Sequence, residues 1–477
     1  MIWLLAGRIP LLLGMVRRIA PNPFRYLSGK ALERWLLLYD LGPRVLALSN
    51  DPGIAETVML DRNGTFPKSA ALEALLRPLI GAGVFGQPGG KPVKEARRLF
   101  IRALARVSDE EIVRVCQTAS EKYVQRWIAN APDQTVPICT ELSRLTVDIV
   151  SECTLGTTFS ADESARFARL FFDYHRKCMP LLLLLSDGQP GTTNRLIRSM
   201  GVEPIGAEMR RLMRDRFLSP LLAGDPGPLA APFAESLNEA GLITASAGDH
   251  ESAQARHDRA LDEIAVMLLA GHETTASALS WLLWELAHRL DEQEGSARLL
   301  DHPPGTAGAE CPVSGSNRRY RPQTDEMLDA LAREALRLYP PIAFFLRETK
   351  EDLVFRGKAI RRGSFLVISP WTLHRHRKKW ARPDDFAPER WLQDGHAPLR
   401  TAFMPFGMGP RTCPGAHFAA VEMREILRVI LTHCRFAPAM TGEPKPLGSL
   451  TSRPDREIYL HIQPRETHPP NDAPTSG

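Results

Sequence analysis

The sequence predicts one large, mainly α-helical domain edged by small β-sheets. Two observations carry this. Apolar residues recur at helical spacing over 109–130, 139–156, 161–179, about 256–290, 325–338 and 414–433. β-like runs are short and few, at 44–48, 353–361, 364–369 and 457–462. The segment from Ala255 to Leu290 would alone make a helix of roughly 50 Å, long enough to cross the domain.

Taken in order, residues 1–20 read as an apolar leader. Arg8 and Pro10 split its apolar run, so neither piece approaches the roughly 20 residues that span a bilayer. No charged start precedes a small-residue cleavage site, so the leader is not a secretory signal. It is expected to pack on its own protein, with Arg17 and Arg18 open to a peripheral membrane contact. Residues 21–464 read as a single domain, because helical patterning continues on both sides of the Pro/Gly/Ser-rich stretches at 186–192, 224–232 and 303–316. Residues 465–477 read as a flexible tail. The Asn-Gly-Thr sequon at 63–65 reads as a turn.

Composition is that of a globular protein, with 44% hydrophobic and 24% charged residues in a chain of 477. The net charge of +5, from 60 basic and 55 acidic residues, is too weak to argue for nucleic acid. Seven cysteines, at 116, 139, 153, 178, 311, 413 and 434, form no CxxC pair. Their odd number and low density fit a reduced, cytoplasmic setting.

Within the long helical segment, Ile264 to Gly271 is apolar nearly all round, as a buried helix should be. His272, Glu273, Thr274 and Thr275 follow at its most buried point, where polar groups carry a desolvation cost unless something satisfies them. That arrangement marks a site. Three other motifs fail on context. Gly81-Ala-Gly83-Val-Phe-Gly86 fits GxGxxG, but Pro78 precedes it and Pro88, Gly89, Gly90 and Pro92 forbid an early helix after it. His272-Glu273 would need a second histidine at 276, which is alanine. Gly-Gly-Lys at 89–91 lacks the remainder of a phosphate loop.

One cysteine has chemistry around it. Phe406-Gly-Met-Gly409-Pro-Arg411-Thr-Cys413-Pro-Gly415 places glycines on both sides of Cys413, letting the backbone pass close to a flat macrocycle. Pro414 suits the first turn of a following helix, whose N-terminal peptide groups would favour thiolate over thiol.

This segment resembles the haem-binding loop of the cytochrome P450 family, FxxGxRxCxG, at every fixed position. The resemblance implies a bacterial-type haem-thiolate monooxygenase, soluble or peripherally associated, with the family's fold around haem b. Cys413 would be the axial iron ligand, with Phe406 packed beside it, Gly415 close to the cofactor and Arg411 on a propionate. Ala270-Gly271-His272-Glu273-Thr274-Thr275 resembles the family's oxygen-activating stretch. There Gly271 would leave room for dioxygen, Thr274 would hydrogen-bond it, and Glu273 would help deliver protons. Glu334-Ala-Leu-Arg337 resembles the ExxR motif, which Arg390 would complete as a structural triad. Arg347 and Arg97 match two further propionate contacts, although Val93 stands where the family often has Trp or His.

By the same resemblance the protein inserts one atom of O2 into an apolar small molecule, a terpenoid, alkyl chain or aromatic. Its pocket would be lined from 69–87, 170–185 and 448–452, with Met267, Ala270, Ile342, Phe344, Phe345 and Leu450. Five consecutive leucines in 181–185 would add to it. No flavin or iron–sulfur motif occurs, so a ferredoxin or flavodoxin with its NAD(P)H reductase would supply electrons. His374-Arg-His-Arg-Lys-Lys379 is a basic run that could meet it. The alternatives are a peroxide-driven, ring-forming or desaturating enzyme of the same kind, and a non-catalytic haem binder or sensor. The buried acid–hydroxyl pair favours oxygen activation.

Overall fold

The central helix, Ala253–Ala287, organises the molecule. In the computed structural model, residues 22–27, 29–42, 44–84, 91–130, 135–178, 190–224, 231–244, 251–301, 324–392 and 401–465 are described. The leader, the Leu181–Leu185 run, Cys311 and all but the first residue of the tail lie outside them. The helix starts where Ser252 accepts a hydrogen bond from the Ala255 N–H at 3.2 Å, a cap that frees no backbone donor to the interior. Its N-terminal half, Ala260 to Leu269, packs in one apolar cluster with Phe167, Phe171, Met213 and Phe233. Its C-terminal half, Ala276 to Ala287, packs in another with Leu142, Leu331 and Ile426. Each fully buried Leu, Ile or Phe contributes about 1.5–3 kcal/mol, so the two clusters hold the helix in register from both ends. The polar stretch 270–275 falls at the seam between them.

Helices expected at 109–130, 139–156, 161–179, 325–338 and 414–433 occur as Asp109–Asn130, Ile138–Leu155, Ala161–Lys177, Thr324–Leu338 and Ala416–His433. The Ala161 helix begins in a capping box formed by Ser160 and Glu163. One expectation is corrected. Pro92 does not forbid a helix but sits in the first turn of Lys91–Arg106, where its missing N–H costs nothing.

The largest sheet orders Leu36–Asp40, Val45–Ser49, Phe365–Ile368 and Phe345–Glu348, with the middle pair parallel. Arg347 pairs with Leu366, so Phe345 and Arg347 share one face of that edge strand. The run 353–361 is not one strand. It folds into a hairpin, Leu353–Phe355 with Lys358–Ile360, because Arg356 and Gly357 turn with φ of 50° and 71°.

Glu334, Arg337 and Arg390 form the expected triad. Arg337 clasps Glu334 through Nε at 2.9 Å and Nη2 at 2.8 Å, and Arg390 Nε reaches Glu334 Oε1 at 3.0 Å. Arg337 also donates to the carbonyls of His374, Pro383 and Asp385. His374 Nε2 in turn accepts the Met404 N–H at 3.0 Å. The triad thus anchors the chain that leads into the cysteine loop.

Only the second half of the basic run 374–379, Arg377 to Lys379, is exposed. His374, Arg375 and His376 are buried. The Arg375 guanidinium lies 3.7 Å from the Trp371 ring centroid, and Arg377 pairs with Glu33 at 2.7 Å. Lys378 and Lys379 each approach the Trp35 ring to 5.7 Å.

Candidate active site

The loop at Cys413 is set by its glycines. Gly407 and Gly409 both have φ of 72°, and a Cβ on Gly409 would meet the Met59 carbonyl at 2.8 Å. Only glycine meets both demands there. The Cys413 N–H donates to the Phe406 carbonyl at 2.9 Å, closing the loop beside the Phe406 ring, itself packed against the cluster around the C-terminal half of the central helix. The following helix begins at Ala416, two residues later than Pro414 implied, with Gly415 as its cap. Burial raises the Cys413 thiol pKa, while the Gly415 N–H and the Arg97 guanidinium lower it. Cys413 is nonetheless exposed. A thiol crowded by protein yet accessible sits in a recess and faces a cavity.

The central helix opens one stripe to such a space. Ala270 is exposed and Gly271 and Thr274 are half-buried, although most of the helix on either side is buried. An interior helix can present that stripe only to an internal cavity. The Thr274 hydroxyl donates to the Ala270 carbonyl at 2.9 Å, leaving its oxygen lone pairs for the cavity. Glu273 does not share the stripe. It is buried, accepts a hydrogen bond from Thr451 at 3.2 Å, and burial raises its pKa. Gly271 also has a packing role: a Cβ there would meet Val150 Cγ2 at 2.7 Å, so its missing side chain admits the Ile138–Leu155 helix.

Three cations converge near Cys413's loop. Arg347 is buried, donates to the Leu346 carbonyl at 3.0 Å, and its Nε has no hydrogen-bond partner. Arg411 Nη1 is equally buried without a partner. Lys68 joins them through an isolated bridge between its backbone and that of Arg347. Burial, then Arg411 and Arg347, lower the Lys68 pKa to about 8, and burial with Arg411 lowers that of Arg347 to about 10. Such mutual repulsion is relieved by a bound dianion. A recessed accessible thiol, an open helix stripe and a cationic trio in which Arg347 and Arg411 carry orphaned donors fit an iron porphyrin bearing two propionates.

A family model for cytochrome P450 matches residues 35–462. The chain belongs to the cytochrome P450 family. Among its relatives, cyclooctatin synthase of Streptomyces melanosporofaciens is 27% identical over 95% of this chain and 94% of its own. Mouse cytochrome P450 4X1 is 25% identical over 87% of this chain and 80% of its own. The crystal structure of the cytochrome P450DA heme domain superposes with a TM-score of 0.69 at 20% identity, covering 93% of this chain and 95% of that one. CYP175A1 from Thermus thermophilus gives 0.66 at 23% identity, covering 96% and 98%. As a P450, the protein is a haem b monooxygenase, an oxidoreductase that uses O2.

The predicted pocket residues of this P450 sit in different surroundings. Phe344 stacks on Phe24 at 5.4 Å, and Phe345 comes within 3.4 Å of the position a Cβ on Gly407 would take. Both are accounted for by packing. Met267 lies in the cluster around the N-terminal half of the central helix, Leu450 packs against it, and Ile342 is half-buried. A separate hollow of about 620 Å³ is bordered by Leu221, Leu222, Glu235 and His257, and no motif residue touches it. Gly81-Ala-Gly83 is a loop fastened to the central helix, where Asp262 accepts the Ala82 N–H at 2.8 Å.

Two residues near the site escaped sequence reasoning. Lys68 has no motif, since its cationic neighbours come from distant segments. Glu422, on the helix after Cys413, lies near Thr275 with neither carboxyl oxygen well hydrogen-bonded. Burial pushes it up to about 8, so it stays protonated at neutral pH. An acid on the apolar face of that helix was its only signal. Among the described residues no helix is long and apolar enough to cross a membrane, and no His/Cys/Asp/Glu group could hold a separate metal ion.

Proposed function

We propose that this P450 hydroxylates an apolar small molecule through haem held by Cys413, with protons supplied by Glu273 and Thr274. The observation that carries this reading is the recessed yet accessible Cys413 thiol with the Gly415 N–H beside it. Bound haem supplies the activation of dioxygen and the insertion of one oxygen atom into substrate, which the thiolate's electron donation promotes. The residues do the remainder. Cys413 would hold the iron, and the Gly415 N–H would temper the negative charge on its sulfur. Arg347, Arg411, Lys68 and Arg97 would hold the propionates and fix the cofactor's orientation. Thr274 would accept and pass on a hydrogen bond at the open stripe. Glu273, kept from bulk water by burial, would carry protons to it. Met267, Ala270, Ile342 and Leu450 would offer an apolar wall suited to a terpenoid, alkyl or aromatic substrate.

Thr274→Ala is expected to leave NAD(P)H consumption intact with a surrogate ferredoxin and reductase. Product per electron should fall by roughly tenfold or more as peroxide is released. Unchanged coupling would place the proton route elsewhere. No NAD(P)H consumption in the wild type would favour a haem binder over an enzyme.

For the electron partner, the Lys91–Arg106 helix offers a better surface than the run 374–379. Lys94, Arg98, Ile101 and Arg102 are exposed along one face of the helix that also places Arg97 by Cys413. A basic face with an apolar centre suits an acidic ferredoxin or flavodoxin. Reduction should slow steeply with added salt, and more weakly in an Arg98→Glu, Arg102→Glu double variant. Salt-independent reduction of the wild type would exclude this face.

A further inference from the structure

One arginine beside the pocket wall has no charge to balance it. Arg453 lies in the short hairpin of Pro446–Gly448 with Ser452–Pro454, opposite Leu447. Among the described residues its guanidinium meets no carboxylate and no hydrogen-bond acceptor. Its Nε is buried without a partner, while the two Nη nitrogens are not enclosed, and the residue as a whole is half-buried. Neighbouring carboxylates are committed elsewhere. Glu273, which feels the Arg453 charge, accepts its hydrogen bond from Thr451 at 3.2 Å, and Asp173 pairs with Arg176 at 3.4 Å. A guanidinium partly stripped of water and left unbalanced attracts an anion more strongly than an exposed one.

The hairpin holds that cation in a fixed place. Ser449 Oγ donates to the His175 carbonyl at 3.0 Å, and Ser277 Oγ on the central helix donates to the Ser452 carbonyl at 2.6 Å. Thr451 Oγ1 meets His175 Nε2 at 2.8 Å, so the turn is seated on the Ala161–Lys177 helix. One turn back along that helix, Phe172 takes the Arg453 guanidinium over its ring, 4.2 Å from the centroid. Phe172 is 46% exposed, so the stacked pair borders open space and not the packed core. Leu450, next to Thr451, packs against the cluster that contains Met267. An apolar wall and an unbalanced cation thus share one fastened hairpin.

We propose that Arg453, stacked on Phe172, binds the carboxylate of an amphipathic substrate whose apolar body enters the pocket. The substrate class is then an acid with a long alkyl or terpenoid chain. This rests on the reading of Leu450 as part of the pocket wall. Stacking occupies one face of the guanidinium and leaves the fork of its Nη nitrogens free in the plane. Two parallel N–H donors match the two oxygens of a carboxylate, and one positive charge balances one negative. A neutral alcohol of the same length would leave the cation unbalanced, so the site discriminates by charge as well as by shape. Arg453 is a specificity-determining residue, since it grips the substrate and takes no part in the oxidation.

The test follows the ferric spin-state shift of the haem-loaded full chain on titration with two matched pairs of ligands. These are dodecanoate with dodecanol, and farnesoate with farnesol. At least one acid should bind on the order of tenfold more tightly than its alcohol at low ionic strength, a preference that added salt narrows. Arg453→Gln should erase the preference and leave the alcohol's affinity unchanged, and Arg453→Lys should keep part of it. An unaltered carbon-monoxide difference band shows that the variants hold haem as the wild type does. If acid and alcohol bind equally to the wild type in both pairs, or Arg453→Gln keeps the preference, the carboxylate reading falls and the apolar pocket stands. If no ligand of either pair shifts the spin state, both readings fall.

Discussion

Cys413→Ala is expected to abolish the red-shifted absorbance band of the ferrous carbon-monoxide complex, together with all monooxygenase turnover. The size of the effect follows from how little else could replace the sulfur. Cys116, Cys153, Cys178 and Cys434 are buried, and burial pushes each thiol up, Cys434 to about 12. Cys139 is likewise raised by burial. None of them has the accessibility of Cys413. Cys413→Ser should also lose the band, because a neutral hydroxyl donates far less electron density to iron. The Gly407–Gly409 turn and the Phe406 carbonyl bond do not involve the side chain, so both variants should fold. The measurement is the carbon-monoxide difference spectrum of purified protein matched for haem content. A normal band in Cys413→Ala would remove the ligand assignment outright.

The cysteine loop could be read directly because its constraints are local. Positive φ at Gly409 and a thiol three residues before a helix are written within ten consecutive positions. The Glu334–Arg337 pair, i and i+3 on one helix, is local too, and Arg390 was placed by the family resemblance. Residues whose role depends on distant neighbours were not legible. Lys68 becomes part of a cationic site only when the edge strand of Arg347 and the loop of Arg411 fold against it. The run 374–379 misleads for the same reason, since its six consecutive basic residues do not reveal that three of them are buried. Gly271 shows a subtler limit. Its small size was read from its place beside Glu273 and Thr274, but Val150 on a neighbouring helix requires it too. The pair Asp51-Pro52, by contrast, was a legible start that went unused. Asp51 caps Pro52–Leu60 by accepting from the Gly53 N–H at 2.8 Å.

Glu334→Ala is expected to lower haem incorporation sharply and to destabilise the fold severely. Glu334 is fully buried and its two oxygens serve Arg337 twice, Arg390, the Trp391 indole N–H at 2.9 Å and the Ala387 N–H at 2.9 Å. Removing the carboxylate leaves the Arg337 guanidinium, also fully buried, without a counter-charge. Breaking one partner of such a pair costs about 3–5 kcal/mol, against roughly 5–15 kcal/mol of total stability. The loss propagates along bonds already described. Arg337 holds the His374 carbonyl, His374 holds the Met404 N–H, and Met404 leads into the loop that carries Cys413. Arg337→Lys should fail nearly as badly, because a compact ammonium cannot grip a carboxylate with two parallel bonds while serving three carbonyls. A hydrophobic pair of matched volume at both positions would recover part of the stability but not the anchoring of the cysteine loop. Haem-to-protein ratio and thermal unfolding of the purified variants measure the two effects separately. If Glu334→Ala binds haem at the wild-type ratio and unfolds at an unchanged temperature, the triad does not hold the loop that presents Cys413.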